Sequence, residues 1–267
     1  MANELENPDA GMRRTRRNIM KMGAIAVPAT LAVHSARATT VCGPFGHICI
    51  TFGNCFLKGT KIRAVEGERK IEDLAIGDLL PTKFGGLRPI QWIGRYSLKK
   101  SDPSKAWVKE AQPVRIARSA LAPNVPHADL YVTAAHSLLI DGVLVPAEML
   151  INGKTITRYE PTSDELELFH IKLESHDVIY AEGAPAETLL HVDESFVNFA
   201  EYLRQYGMPE TAEGRCAPLV HTGGRAELMS RLRSALSPWI DLRNRADVIR
   251  DRLEESELFF AGKPEPV

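Results

Sequence analysis

From residue 55 to about residue 187 the chain alternates between short apolar runs and turn-forming sequence. Lys61 to Val65, Ile90 to Ile93, Val114 to Ala117, Tyr131 to Thr133, Leu138 to Ile140, Phe169 to Leu173 and Val178 to Ala181 are rich in β-branched and apolar residues. Runs of this length between turn signals predict strands, so the body of the protein reads as mainly β. The turns are explicit at Glu66-Gly67, Gly77-Asp78, Gly85-Gly86, Asp141-Gly142 and Asn152-Gly153, and the last three stand where a hairpin would reverse. Asp141-Gly142, between Leu139-Ile140 and Val143-Leu144-Val145, is the clearest. After Ala186 the spacing becomes helical: Phe196, Phe199, Ala200 and Leu203 lie three or four apart and stop near Gly207. A second helical region runs from about Arg225 to Phe259, with Leu228, Leu232, Leu236, Leu242, Val248, Ile249 and Leu253 as its apolar positions. Pro238 divides it into two helices or kinks one.

The 267 residues are 44% hydrophobic and 25% charged, with a formal charge of −1, an ordinary globular composition. The near-zero charge argues against nucleic acid or an anionic membrane as the main partner. No run of 18 apolar residues occurs, so a stable membrane anchor is not expected. Charge is nevertheless uneven, because residues 1 to 38 carry six basic residues against three acidic ones. Their order is a polar leader reaching Arg16-Arg17-Asn18-Ile19-Met20-Lys21, a mildly apolar stretch from Met22 to Val33, and Ala36-Arg37-Ala38. That is the layout of a secretory signal cleaved after Ala38, and the paired arginines resemble a twin-arginine signal, whose transporter carries folded cargo. The expected location is therefore exported, periplasmic or secreted from a bacterium; a basic tail on a cytoplasmic protein is the alternative.

Cys42, Cys49, Cys55 and Cys216 have no pair at zinc-knuckle spacing, so neither metal nor cofactor is expected. Cys42 and Cys49 could close a small disulfide loop after export or remain reduced thiols. Cys216 reads as a core residue, with a redox pairing to Cys55 as the other possibility. Cys55 itself stands where the loose leader meets the β body and is followed by Gly59-Thr60 leading into the first strand. It is well placed to act on its own preceding bond, Asn54 to Cys55. Further on, Thr133 and His136 lie three apart at a strand end, where both can address one peptide bond. A later strand pair carries His170, His176 and Asp177.

In order, Cys55-Phe56 with Gly59-Thr60, Glu72-Asp73-Leu74 to Gly77-Asp78, Arg88-Pro89-Ile90 to Trp92-Ile93-Gly94, Pro113 to Ile116, Thr133 to His136, Leu138 to Pro146, Asn152-Gly153 and His176-Asp177-Val178 to Ala186-Glu187-Thr188 resemble the Hint domain of hedgehog autoprocessing regions and inteins. The likeness is strongest to its bacterial stand-alone branch and covers about Cys55 to Asn198. It implies a pseudo-symmetric β horseshoe, and a division into a signal (1–38), a short segment (39–54), the Hint domain (55–198) and a helical extension (199–267).

The resemblance also implies roles. Cys55 would attack the Asn54 carbonyl, turning the amide into a thioester by an N-to-S acyl shift that cleaves the Asn54–Cys55 bond. A free thiol is only roughly 3% ionised at pH 7, so an adjacent base or a fall in its pKa is needed. His136 would be that base or would protonate the departing amine, and Thr133 would hydrogen-bond the scissile amide. His170, His176 and Asp177 would support them. The substrate would be the protein's own N-terminal segment, with water or a small nucleophile resolving the thioester. The His-Asn ending of a splicing intein does not occur after Gly183, so cleavage at one junction is expected without splicing. The alternative is an exported Hint-fold binding or structural module with a dormant site.

Overall fold

The structure, a computed structural model, describes residues 39–42, 49–100, 102–209, 214–220, 248–249 and 251–253. The expected signal with its Ala38 cleavage point, and most of the second helical region, lie outside the described residues. In chain order the strands are β1 Thr39–Cys42, β2 Cys49–Phe52, β3 Phe56–Leu57, β4 Lys61–Ala64, β5 Gly67–Lys70, β6 Leu79–Thr82, β7 Gly86–Pro89 and β8 Trp92–Lys99. They continue with β9 Val114–Ile116, β10 Leu130–Val132, β11 Ser137–Ile140, β12 Val143–Pro146, β13 Ile156–Arg158, β14 Glu165–Lys172, β15 Val178–Ala181 and β16 Ala184–Glu187. The helix α1 spans Phe199–Tyr206.

Two six-stranded sheets dominate. The first runs β13-β9-β10-β3-β14-β8 and the second β12-β11-β16-β15-β4-β5, with β1-β2 and β6-β7 as separate pairs. The mainly β, Hint-type horseshoe expected from the sequence is thus present. The chain steps directly from the first sheet to the second three times: from β3 to β4, from β10 to β11 and from β14 to β15. These crossings occupy residues 58–60, 133–136 and 173–177. Both sheets bury one apolar core, to which the first gives Phe56, Val114, Leu130, Val132 and Ile171 and the second Ile62, Leu138, Val145 and Ile179. A second cluster, holding Cys55, Trp92, Leu98, Trp107, Leu166, Leu168 and Phe196, lies against β8 and β14. β14 is therefore buried on both faces, Leu166 and Leu168 going to one cluster and Phe169 and Ile171 to the other.

Local chemistry explains most elements. The β11–β12 hairpin turns at Asp141 and Gly142, both at positive φ (51° and 76°), as a tight hairpin turn with the strands' own twist requires. Gly85-Gly86 also falls at a hairpin, that of β6 and β7. Asn152-Gly153, expected to reverse a hairpin, does not: β13 pairs with β9 instead. The Asn152 side-chain oxygen accepts the N–H groups of Lys154, Thr155 and Ile156, building a side-chain-closed loop rather than a turn between partners. The strand expected at Ile90 to Ile93 begins at Trp92 and continues through Gly94 to Lys99. Gly94 is required there because a Cβ would lie 2.5 Å from the Phe196 ring.

α1 ends before Gly207, where the spacing placed it, and joins the second cluster through Phe199, as expected, together with Tyr202 and Tyr206. Tyr202 is its buried residue and Ala200 is exposed, with Trp92 against both Phe196 and Tyr202, ring centroids 5.2 Å apart in each pair. Ile249 and Leu253, from the described part of the second helical region, are buried in the shared core. No helix among the described residues is long and apolar enough to cross a membrane.

Candidate functional site

The β10–β11 crossing meets the bond between Asn54 and Cys55, and His176 of the β14–β15 crossing meets Glu187, which holds the Asn54 side chain. Cys55 precedes β3, Thr133 to His136 form the β10–β11 crossing, and His170 and His176 lie on β14 and in the crossing that follows it. The Asn54–Cys55 amide is held through its nitrogen. The Cys55 N–H donates to Thr133 Oγ1 at 2.8 Å, and the same hydroxyl donates to the Gly53 carbonyl at 2.9 Å. The Thr133 N–H donates to the Cys55 carbonyl at 2.9 Å, and the His136 N–H to the Thr133 carbonyl at 3.1 Å, which closes the turn.

His136 is fully buried, its ring 4.2 Å from that of Phe56 and 4.9 Å from that of His170. Burial pushes its pKa down to about 4, against the Glu187 charge and the carbonyls of Asn54 and Glu187, which favour the protonated ring. The ring is therefore neutral at pH 7 and lies by the Asn54 carbonyl. His170 is also lowered well below its ordinary value, by burial and then by His136 and His176. Its Nδ1 accepts the Ile171 N–H at 3.0 Å.

Sequence reasoning missed the charged centre of this group. Glu187, at the end of β16, is 1% exposed; one carboxylate oxygen accepts the Asn54 side-chain Nδ2 at 2.7 Å and the Ser137 N–H at 2.9 Å. Its other oxygen lies 3.5 Å from both His176 Nε2 and Arg215 Nη1. His176 Nδ1 accepts the Cys216 N–H, which leaves the ring proton on Nε2, facing Glu187. Burial opposes ionisation of Glu187, yet the hydrogen bonding to His176, the His136 field and the Ser137 bond outweigh it and hold the carboxyl below its ordinary value. The available signal was position: Glu187 is an acid in an otherwise apolar strand, Ala184–Glu187, next to a buried Thr188.

Asp177 serves another purpose. Its carboxylate accepts the N–H groups of Phe84 at 3.1 Å and Val178 at 2.7 Å and lies 3.4 Å from Arg88, fastening the β6–β7 hairpin to the start of β15. Cys216 is a partly buried free thiol packed with Leu139, Leu144, Val178 and Ala217, a cluster separate from the one containing Cys55, and Cys55 is likewise free.

The thiol's own surroundings are the reverse of those expected for an activated cysteine. Cys55 is 1% exposed, and burial, aided by the charge of Asp193, pushes its pKa up. The thiol lies in an apolar cluster, and no fall in its pKa accompanies that placement.

With cysteine, threonine and histidine gathered around one peptide bond inside this β fold, comparison with family models decides the affiliation: the Hint domain model matches residues 54–193. The chain belongs to the Hint domain family. Among solved structures, this Hint chain is similar to a gp41-1 intein at 13% identity over 50% of this chain and 98% of the intein, with a TM-score of 0.34. It is similar to a DnaB intein from Synechocystis sp. PCC 6803 at 11% identity over 52% and 100%, TM-score 0.34. An MchDnaB-1 intein matches at 14% identity over 49% and 98%, TM-score 0.32. No curated protein matches the chain.

Metal-ligand chemistry falls elsewhere. Glu68, His127 and Glu182 bring ligand atoms within 4.8 Å of one another. His127 already spans the two acids, Nε2 at 2.6 Å from Glu68 and Nδ1 at 3.8 Å from Glu182.

Proposed function

We propose that this Hint domain cleaves its own Asn54–Cys55 bond once, without splicing. The observation that carries the reading is the grip on that bond: the Cys55 N–H on the Thr133 hydroxyl at 2.8 Å, with the neutral His136 ring beside the Asn54 carbonyl. The Cys55 sulfur attacks the Asn54 carbonyl carbon, the carbon–nitrogen bond breaks, and the thiol proton passes by way of His136 to the departing Cys55 amine. Thr133 holds the nitrogen throughout, an electrostatic contribution of about 3 kcal/mol if it strengthens in the transition state. Water or a small nucleophile then opens the thioester, giving a peptide ending at Asn54 and a domain beginning at Cys55 with its thiol restored. Residues 1 to 38 act in this reading as an export signal, which the order of basic, apolar and small residues supports.

The test is intact-mass spectrometry of purified protein with and without dithiothreitol or hydroxylamine. Thiol-dependent loss of the N-terminal peptide is expected from the wild type and none from Cys55→Ala, whose melting temperature should stay close to that of the wild type. Identical full-length masses for both under added thiol would remove Cys55 as a nucleophile. That outcome fits a second reading, favoured by the buried, hard-to-ionise thiol, in which the fold is a binding or structural module with a dormant site.

A further inference from the structure

The proposed cleavage leaves one strong contact unused: the hydrogen bond between the Asn54 side chain and the buried Glu187 carboxylate. We propose that Glu187 is the specificity-determining residue of the self-cleavage, admitting as the acyl residue only a short side chain that donates a hydrogen bond. This rests on the cleavage reading above.

Three observations support the assignment. First, Glu187 is 1% exposed and accepts Asn54 Nδ2 at 2.7 Å, so the residue before the nucleophile touches an ionised group that water does not reach. A carboxylate in such a place must be supplied with donors, and removing one is costly because nothing replaces it. Second, Glu187 is itself immobilised, by the Ser137 N–H at 2.9 Å and by His176 and Arg215 at 3.5 Å, so it presents a fixed acceptor rather than a mobile one. Third, one short crossing handles every part of residue 54 and its bond. Thr133 takes the amide nitrogen, His136 lies by the carbonyl, and the next N–H, that of Ser137, fixes the carboxylate that holds the side chain.

The chemistry of the contact states what is excluded. An aspartate at this position has asparagine's shape but would set a second carboxylate against Glu187, a like-charge contact in a buried site. A glutamine is one methylene longer and would push the carbonyl away from His136. An alanine removes the donor and leaves one carboxylate oxygen with the Ser137 N–H alone among these partners. Because the side chain and the scissile carbonyl belong to the same residue, each loss also displaces the reacting carbon, and small displacements there carry large rate penalties.

The decisive experiment uses the full chain in four forms: wild type, N54D, E187Q and the double variant. An E187Q amide that turns its nitrogen to the position of the oxygen shared by Asn54 and Ser137 can donate to the N54D carboxylate, giving up the Ser137 N–H that this oxygen accepts in the wild type. Release of the N-terminal peptide under dithiothreitol should be roughly 10- to 100-fold slower in N54D. It should be slower also in E187Q, and restored in the double variant by at least about tenfold relative to N54D. A purely structural Glu187 would slow the asparagine and aspartate forms by the same factor, and that result overturns the proposal. The same four combinations melted in the Cys55→Ala background, where no bond is cut, provide a second readout. There N54D should lower the melting temperature and E187Q should recover part of the loss, whereas additive losses count against the contact. N54D leaves Glu187 and its other partners in place, so a folding failure of E187Q does not decide the matter. If no form releases peptide while the melting data show the coupling, the hold on residue 54 stands and the cleavage reading is what fails.

Discussion

The two sides of the Asn54–Cys55 bond sit in opposite environments. On the acyl side are a neutral imidazole, an ionised carboxylate with four partners and a hydroxyl that both accepts and donates. On the sulfur side are Trp92, Leu98, Trp107, Leu166 and Leu168, with no charge favouring a thiolate and one, Asp193, opposing it. The difference indicates where rate acceleration is to be sought. A dry pocket keeps the thiol protonated and shielded, while polar groups fixed before the reaction act on the amide, where such groups are most effective. In the proposed cleavage, then, the domain would act by weakening the amide rather than by sharpening the nucleophile.

Removing the acyl-side groups tests this directly and gives the largest effects after loss of Cys55 itself. His136→Ala should slow peptide release by about 10² to 10⁴ and Thr133→Val by about 10² to 10³, both followed by mass spectrometry under added thiol. Each should leave a residual rate, because the other remains. A rate equal to wild type in either variant would take that residue out of the reaction and move the burden to the sulfur side.

Acid should separate the two sides in a different way. The His136 pKa falls to about 4 on folding from an ordinary value near 6.5, so between those limits the unfolded chain binds the proton the folded one refuses. Stability is thus complete above about pH 6.5 and declines as pH falls toward about 4, with His170 acting in the same direction. Glu187, held below its ordinary value, adds a loss that begins only below about pH 4.5. Urea melts at pH 7 and pH 4.5 should show this slope in wild type and Cys55→Ala alike. His136→Ala should flatten it, and a slope unchanged in His136→Ala would mean that the imidazole is not the group resisting the proton.

How much of this was legible follows from which residues interact locally. Asp141-Gly142 and the start of the β body were readable because turn chemistry and strand period are written in consecutive residues. β5, Gly67–Lys70, carries no large apolar residue to mark it, and β14 breaks alternation because both of its faces are buried. Asn152-Gly153 looked like a hairpin because the dipeptide does not say whether the flanking strands pair with each other. Thr133 and His136 could be matched to Cys55 only through the family pattern, since the contact spans 78 residues. Glu187 lies within that pattern, but the pattern gave it no role: its partners Asn54, Ser137, His176 and Arg215 are scattered along the chain, and the buried pocket that makes it matter exists only after folding.

The smallest expected effect has the opposite sign and tests the sulfur side alone. Asp193 is the charge that, after burial, raises the Cys55 pKa, and it also adds to the raised pKa of Tyr96. Its side chain accepts the Ser195 N–H at 2.9 Å, a bond that the oxygen of an amide can keep, so Asp193→Asn removes charge while leaving the loop its hydrogen bond. With the charge gone the thiol ionises more readily, and release near neutral pH should rise by a few-fold, with the pH–rate curve displaced toward acid. The gain stays small because burial, the larger cause, is untouched. If the curve does not move, thiol ionisation does not limit the reaction, and the whole barrier lies with the groups that hold Asn54. If instead the rate rises as much as His136→Ala lowers it, the Asp193 charge is the stronger control, and the Hint site is held in check by its nucleophile.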